Sequence, residues 1–399
     1  MTQQEKYNQL EASLRSLYPQ GRDYYALLPR GAALDNEFDK RLIRCMPSYQ
    51  FVRRLASYQQ QNAGSGYVYL VRSGGKEYVL KALLMRSEKD VQDAIQELKM
   101  AETQNKRGLN NVIRVYYQTP LSELEKYLRQ MRAHQIREAI SLQIMERGLP
   151  FDVFIRDLLC KRNGHMTRTE ALVLCYELFS RLAVFHSTGF LHRDIKLNNA
   201  LLIQKNGRTK LVFSDFGTSR TIENGFQPAT GCEAGFTAYY VAPERLNYHG
   251  RANMSSVALQ KADVYSMAVT MYIILNNGAM PPVSYQRVPW LQDPVAIVVP
   301  NPPPPRNSPD HQLSNLLLRC LSYNVNARPT AEEMTRELDR MLFDHQSHQQ
   351  NRQPVRQQNR PPVRQQNKPH RNQSEQEILD QLLGNYCGQQ RYKKPHRYY

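Results

Sequence analysis

The spacing of apolar residues changes along the chain from a strand pattern to a helical one. Between Tyr67 and Leu84, two short β-type runs flank Ser73-Gly74-Gly75, which is typical of a hairpin. A helix is predicted from the next segment, because apolar residues there repeat every three or four positions. The first part of the chain is therefore expected to combine an antiparallel sheet with at least one packed helix.

The elements that follow alternate between strand and helix. The pattern predicts a strand at 112–117, a charged amphipathic helix at 121–140 and a strand at 141–146. Beyond these residues it is mainly helical, with a β interruption at 200–215. The longest apolar run, at 264–275, is predicted to be a buried helix, since it is far shorter than the ~20 residues of a membrane span.

The two ends of the chain and one internal segment lack this regular patterning. Residues 1–54 are interpreted as a helical N-terminal extension, with apolar residues at helical spacing near 38–45. Segment 281–309 holds ten prolines and is predicted to be an extended loop. Residues 344–399 are rich in Gln, Arg and Pro, and we expect a disordered tail with a short helix at 374–383.

Composition adds expectations about location and partners. The 53 Lys+Arg exceed the 36 Asp+Glu by 17, which favours anionic partners such as phosphates or acidic proteins. Six cysteines without a CxxC pair suit a reducing compartment, and the polar N-terminus does not resemble a signal peptide. We therefore expect a cytoplasmic protein without a membrane span, and a nuclear or host-cell location stays open.

Four polar side chains have the chemistry that phosphoryl transfer requires. Asp194, Lys196 and Asn199 lie within the segment FLHRDIKLNNALLI, and Asp215 follows sixteen residues after Asn199. A carboxylate and a carboxamide can bind Mg²⁺, as Asp215 and Asn199 would. Asp194 can orient a hydroxyl group and accept its proton, while Lys196 can neutralise the transferred phosphoryl group.

These residues belong to motifs that resemble those of the eukaryotic-type protein kinases. The chain contains, in the family's order, counterparts of the catalytic-loop motif, the DFG motif, the APE motif, a structural aspartate and an arginine that pairs with the APE glutamate. The residues matched in this way are His192, Arg193, Asp194, Asp215, Phe216, Gly217, Glu244, Asp263 and Arg328. Agreement of five motifs in order is a specific signal, whereas one alone would be weak.

The resemblance implies a fold, cofactors and substrates. The fold would be α+β and two-lobed, with a small β-rich N-lobe and a larger, mainly helical C-lobe. The kinase domain would span 55–343, with the lobes dividing near residue 147. The cofactors would be ATP and Mg²⁺, and the substrates would be proteins with serine or threonine hydroxyls.

The resemblance also implies an ATP site in the N-lobe. Lys81 would contact the nucleotide phosphates, Glu97 would be the partner of that lysine, and Met145 would be the gatekeeper before the hinge. A surface lysine, a solvated glutamate and a core methionine are the alternatives.

The glycine-rich loop departs from the family pattern. In one register Gly66 and Val68 keep their family places, while the first two glycines are replaced. In the other register Gly64 and Gly66 form the first pair and Tyr69 replaces the third glycine. We prefer the first register and expect a Gly-Ser-Gly turn whose backbone N–H groups contact phosphate; a plain hairpin turn is the alternative.

Hydroxyl specificity and regulation follow from the resemblance as well. Lys196 and Thr237 are of the serine/threonine type in this family. Arg193 predicts a basic pocket for a phosphorylated activation segment at 218–235. The basic tail carries ten Lys/Arg and three Asp/Glu from residue 345. An anionic or proline-recognising partner is therefore a hypothesis for the tail, and a purely solubilising role is the alternative.

Three other functions fit the sequence less well than an active kinase, and a nucleic-acid-binding protein with a kinase-like core is the least supported of them. A pseudokinase scaffold would account for the irregular glycine loop, but such proteins normally lack a residue of the Lys81, Asp194 or Asp215 type, and this chain has all three. A small-molecule kinase would share the metal-binding residues but would rarely keep both Thr237 and the Glu244–Arg328 pairing.

Overall fold

The computed structural model describes most of the chain up to Gln350. The described residues are 12, 33–34, 36–60, 63–106, 112–205, 208–216, 219–221, 239–246, 255–287 and 294–350. The described residues up to Gln349 form one compact unit. The predictions for Gly217, Thr237 and a helix at 374–383 fall outside the described residues.

The first part of the chain is a five-stranded antiparallel sheet with the order β1-β2-β3-β5-β4. Its strands are β1 Gln50–Gln60, β2 Ala63–Ser73, β3 Lys76–Met85, β4 Val115–Gln118 and β5 Ala139–Glu146. Gly74 and Gly75 form the turn between β2 and β3 with φ angles of 55° and 73°, a backbone conformation that glycine adopts without steric cost. The predicted hairpin is confirmed.

Helices cover both faces of this sheet. They are α1 Glu37–Cys45, α2 Glu88–Lys106 and α3 Leu121–Arg132. Side chains alternate between the faces along β3. Leu80 and Ala82 are buried in a cluster with Leu42 of α1, whereas Met85 is buried in a cluster with residues of α2 and α3, such as Leu124.

The predicted helix at 121–140 is shorter than expected. It begins at Leu121 as predicted but ends at Arg132, and β5 begins at Ala139, two residues before the predicted strand. His134, with a φ of 56°, interrupts the helical backbone. The prediction was wrong because Ala139 pairs with Met85 of β3, a long-range contact that a helical periodicity does not reveal.

The remainder of the chain is mainly helical. It contains the helices α4 Phe151–Lys161, α5 Arg168–Ser187, α6 Pro243–Leu246, α7 Ser256–Leu275, α8 His311–Cys320 and α9 Ala331–Gln350. Short strands complete it, namely β6 Leu149–Pro150, β7 Phe190–Leu191, β8 Ala200–Lys205, β9 Arg208–Phe213, β10 Arg220–Thr221, β11 Val283–Gln286 and β12 Val295–Val298. Every residue of α7 from Ala262 to Leu275 is buried, so the predicted buried helix is confirmed.

The proline-rich segment is not a simple extended loop. Within it, β11 pairs with β12 in an antiparallel hairpin, and all four residues of β12 are buried. Pro282 precedes β11 and Pro294 precedes β12, so neither proline lies inside a strand or removes one of its hydrogen bonds. The prediction of a loop was therefore wrong for these two strands.

A buried carboxylate begins α8. Asp310 accepts hydrogen bonds from the backbone N–H groups of Gln312 and Leu313 and forms an ion pair with Arg168 at the start of α5. Burial alone would raise the pKa of Asp310. The two hydrogen bonds and the Arg168 guanidinium lower this pKa by more than burial raises it, so the net shift is downward.

A stability prediction follows from Asp310. Because its folded-state pKa is below the ordinary 3.8, ionised Asp310 stabilises the fold above that pH, and the contribution disappears as the pH falls through the folded-state pKa. Asp310→Asn should therefore destabilise the protein at neutral pH, by less as the pH falls below about 4. Urea unfolding at several pH values measures this. Glu337→Gln, in an exposed ion pair, is the control and should show a small effect at every pH; an equal Asp310→Asn effect at all pH values would contradict the prediction.

Together these elements confirm the predicted α+β architecture of a β-rich N-terminal part and a helical C-terminal part. α9 continues to Gln350, past the predicted start of the tail at residue 344. Among the described residues, no helix combines the length and the apolar character that crossing a bilayer requires.

Candidate active site

A lysine of β3 contacts two carboxylates. Lys81 lies on the sheet face that α2 covers, and its Nζ is 3.0 Å from Oε1 of Glu97 and 3.2 Å from Oδ1 of Asp215. The side chains of Lys81 and Glu97 are 14% and 15% exposed, whereas that of Asp215 is 44% exposed. The ammonium group is thus held by a largely buried carboxylate and lies beside a carboxylate that solvent can reach.

The charge of Lys81 acts on its second partner. The Lys81 ammonium holds the pKa of Asp215 below its ordinary value, although burial opposes this shift. The charge of Lys196 also lowers the pKa of Asp215. Asp215 is therefore ionised at neutral pH, as a ligand for a divalent cation must be.

The loop after β7 brings three polar side chains together. Oδ2 of Asp194 accepts hydrogen bonds from Nζ of Lys196 at 2.7 Å and from Nδ2 of Asn199 at 2.9 Å. Nδ2 of Asn199 also donates to the backbone oxygen of Asp194 at 2.8 Å. Because both donations use the amide nitrogen, the amide oxygen of Asn199 is the atom suited to bind a cation.

Backbone contacts hold the two groups of residues in one cleft. The N–H of Ser214, directly before Asp215, donates to the carbonyl oxygen of Asn199 at 2.9 Å. β8 and β9 pair antiparallel, with Ala200 opposite Phe213, so the residues that flank this pair lie side by side. The structure thereby brings Lys81, Glu97, Asp194, Asn199 and Asp215 to the same place.

The buried helix α7 holds the loop that follows β7 and carries Asp194. Asp263 accepts hydrogen bonds from the backbone N–H groups of His192 and Arg193, both at 2.8 Å, and its Oδ2 is 3.1 Å from Nε2 of His186. Arg193 has a φ of 70°, which a non-glycine residue adopts only when its surroundings impose it. Asp263 therefore fixes the backbone immediately before Asp194.

Aromatic packing completes this support. Phe216 is 6% exposed and stacks on Phe185, with ring centroids 5.9 Å apart. The ring of His192 packs against Phe216 as well, at 5.5 Å, and its burial lowers the pKa of the imidazole. The residue after Asp215 is thus anchored in the core while Asp215 itself stays accessible.

A second ion pair lies in the helical part. Nη1 and Nη2 of Arg328 donate to the two carboxylate oxygens of Glu244 at 2.6 and 2.7 Å. The Arg328 side chain is fully buried, and its guanidinium lies 4.8 Å from the ring centroid of Tyr265. The predicted partners Glu244 and Arg328 are therefore in direct contact.

The glycines do not lie where the sequence predicted. Gly64 and Gly66 are inside β2, and Gly66 pairs with Tyr58 of β1 and Leu83 of β3. The expected Gly-Ser-Gly turn is wrong, since Ser65 pairs with Gln59 of β1 and the three residues lie within β2. Pairing of Gly66 with both neighbouring strands places it in the sheet.

Val68 and Met145 lie on neighbouring strands of the site. Val68 is directly opposite Lys81 in the β2–β3 ladder. Met145, near the end of β5, lines a narrow cavity together with Glu97, Asp215 and Phe216. Both residues thus border the place where the lysine and its carboxylates meet.

Sequence reasoning missed two contacts of the catalytic loop. Nη1 of Arg245 donates to the backbone oxygen of Arg193 at 2.6 Å, and Oγ of Ser219 donates to that of His192 at 3.2 Å. Neither residue stands out by spacing, although each lies close to a motif residue in the chain. That adjacency is the only signal from which these contacts were predictable.

The donor set fits Mg²⁺ bound together with a nucleotide. In the described ranges, no three His, Cys, Asp or Glu side chains gather as a metal site. Mg²⁺ commonly uses one or two protein oxygens and completes its shell with phosphate oxygens and water. Asn199 and Asp215 could supply two such oxygens.

Comparison with known proteins identifies the family. Residues 62–338 match the protein kinase domain. The chain belongs to the protein kinase family. The kinase match begins after β1 and covers strands β2 to β5, the cleft and the helical part as far as Leu338.

Relatives of this kinase domain come from plants and bacteria. Calcium-dependent protein kinase 1 of Oryza sativa subsp. japonica is 28% identical over 239 residues, covering 58% of this chain and 38% of the relative. Serine/threonine-protein kinase PkaA of Streptomyces coelicolor is 32% identical over 178 residues, covering 45% and 30%. Calcium-dependent protein kinase 4 of Solanum tuberosum is 29% identical over 225 residues, covering 55% and 34%. The chain thus spans less than two fifths of the length of each.

Proposed function

We propose that this chain is a protein kinase that transfers the γ-phosphoryl group of ATP, in a Mg²⁺-dependent reaction, to serine and threonine hydroxyls of proteins. The observation that carries the proposal is the convergence of Lys81, Asp194, Asn199 and Asp215 in one cleft, with the Lys81–Glu97 ion pair formed. Phosphoryl transfer depends mainly on positioning and on charge stabilisation, and these side chains supply both.

The nucleotide would be held from the sheet side. Lys81 would bind the phosphates of the nucleotide, and Glu97 would keep the ammonium group in place for this. Asn199 and Asp215 would hold the metal ion through their oxygens. When bound, Mg²⁺ neutralises charge that develops on the phosphate oxygens.

The protein substrate would be activated from the loop side. Asp194 accepts a hydrogen bond from the substrate hydroxyl and takes its proton as the phosphoryl group is transferred. Lys196, 2.7 Å from Asp194, is placed to neutralise the negative charge of the moving group.

The choice of serine and threonine is supported by two observations. Lys196 lies two residues after Asp194, as in the serine/threonine branch of the family, and the relative PkaA is named a serine/threonine-protein kinase. Calcium dependence is stated only in the names of the plant relatives.

A scaffold with weak or no catalysis is the second candidate. One observation favours it, namely that Gly64 and Gly66 lie inside β2 rather than in a turn over the phosphate site. Retention of every charged residue of the cleft favours the kinase.

The test is transfer of labelled phosphate from γ-labelled ATP to a generic basic protein. With Mg²⁺ we expect phosphoserine and phosphothreonine, and with EDTA we expect no label. An Asp215→Ala variant purified in the same way is the control, because a contaminating kinase would still label the substrate in that sample. Binding of ATP without transfer by the parent protein would favour the scaffold.

A further inference from the structure

The helix α3, which connects β4 to β5, packs on the helix that carries Glu97. The buried residues Val91, Ala94 and Leu98 of α2 share one hydrophobic cluster with Leu124 and Met131 of α3. Among the elements of the described chain, α3 makes the most extensive contacts with α2, and β2 and β3 contact it much less. The position of α2 is therefore set largely by α3.

Polar contacts link both ends of α3 to the site. At its C-terminal end, Nε of Arg132 is 2.8 Å from Oε2 of Glu88 in the first turn of α2. At its N-terminal end, Oγ1 of Thr119 accepts from the N–H of Leu142 at 2.8 Å, and the N–H of Thr119 donates to the Leu142 oxygen at 2.9 Å. The helix is therefore attached both to α2 and to β5.

The attachment of α3 to α2 and β5 affects the distance between Lys81 and Glu97. Gln143, the residue after Leu142, lies opposite Lys81 in the β3–β5 ladder. Glu97 immediately precedes Leu98, which packs in the cluster with α3. α3 thus connects the strand beside Lys81 to the helix surface beside Glu97, and a shift of α2 by about 1 Å would lengthen the 3.0 Å pair beyond hydrogen-bond range.

We propose that α3 is a built-in positioning element for Glu97, with Leu124 as its central residue. Leu124 has no exposed surface, whereas Met131, the other buried α3 residue of the cluster that α2 and α3 share, is 7% exposed. It touches no reacting group, so it acts on the reaction through Glu97 and Lys81. The inference rests on the proposed ATP site and adds that this kinase domain carries its own support for α2.

The test compares two buried leucines on opposite faces of the same sheet. Leu124→Ala should lower kcat/KM for Mg·ATP about tenfold, since coupling of this kind is typically worth one order of magnitude. Leu42→Ala, which creates a similar cavity between α1 and the other face, should stay within about twofold of the parent protein. Leu124→Met, which conserves volume, should also stay within about twofold. Assays at a temperature well below the melting point of every variant keep folding out of the comparison.

A double-mutant cycle separates positioning from general damage. In a Glu97→Gln background, Leu124→Ala should add less than about twofold, because the residue on which Leu124 acts has already been neutralised. A full tenfold loss in that background would overturn the proposal, as would equal losses from Leu42→Ala and Leu124→Ala. Where Leu124→Ala does not fold, Leu124→Val takes its place in the same comparison.

Hydrogen exchange of the nucleotide-free, full-length protein gives a readout that needs no catalysis. Leu124→Ala should speed exchange of the α2 amides, whereas Leu42→Ala should leave them as in the parent protein. Unchanged α2 exchange in Leu124→Ala would overturn the positioning role. A different result would separate the two proposals. If the parent protein transferred no phosphate but Leu124→Ala still sped α2 exchange and Leu42→Ala did not, the proposed function would be refuted and the role of α3 in placing α2 would be supported.

Discussion

Asp194→Asn should lower kcat about 10²- to 10⁴-fold, the usual contribution of a positioned general base. The substitution keeps the size of the side chain but removes the carboxylate that accepts from Lys196 at 2.7 Å and from Asn199 at 2.9 Å. The amide cannot take the hydroxyl proton. KM for ATP should change little, because in the proposed mechanism Asp194 acts on the substrate hydroxyl rather than on the nucleotide.

Steady-state kinetics with varied ATP measures this effect. Glu337→Gln is a matched control, since it also turns a carboxylate into an amide, in an exposed ion pair with Arg340, and should leave kcat within about twofold. An Asp194→Asn protein that keeps more than about a tenth of the parent kcat would exclude Asp194 as the general base.

Arg328→Ala should cost about 3–5 kcal/mol of unfolding free energy, the range for removing one partner of a buried ion pair. The substitution leaves Glu244 without its bidentate partner and removes a hydrogen bond of 2.6 Å from Nε to the Ser322 oxygen. It also removes the guanidinium that lies over Tyr265. The loss is large because the Arg328 side chain has no exposed surface through which water could replace these contacts.

Denaturant unfolding with fluorescence or circular dichroism detection measures the change. Arg340→Ala is the matched control, because Arg340 is 63% exposed in its pair with Glu337 and should cost less than about 1 kcal/mol. The double variant Arg328→Met with Glu244→Gln should be more stable than Arg328→Ala, since no buried charge then lacks a partner. Equal stability of Arg328→Ala and Arg340→Ala would contradict the structural role of this pair.

Local sequence patterns predicted most of the elements. The β2–β3 hairpin follows from two alternating runs around Gly74 and Gly75, and the buried helix α7 follows from an unbroken apolar run. The residues of the site were also predictable, because five motifs in the order of the protein kinase family include Asp194, Asn199 and Asp215, and their side chains have the chemistry that phosphoryl transfer requires.

Long-range pairing decided what the patterns could not. The helix predicted at 121–140 stops at Arg132 because Ala139 pairs with β3, and the proline-rich segment contains a hairpin because β12 is buried. Gly64 and Gly66 lie in a strand for the same reason, since both neighbours of Gly64 pair with β1 and Gly66 pairs with β1 and β3.

The amino-acid sequence by itself determined which side chains are available for chemistry and where most helices and strands lie, because those properties depend on residue type and on periods of two or 3.6 residues. The family resemblance implied the pairing of Lys81 with Glu97, 16 residues away, but only the tertiary structure placed Asp215, 134 residues away, beside the same ammonium group. It also decided that α3 packs against α2. Such contacts depend on which helices and strands bury their apolar faces against one another, and the local periodicity of the sequence does not reveal these pairings.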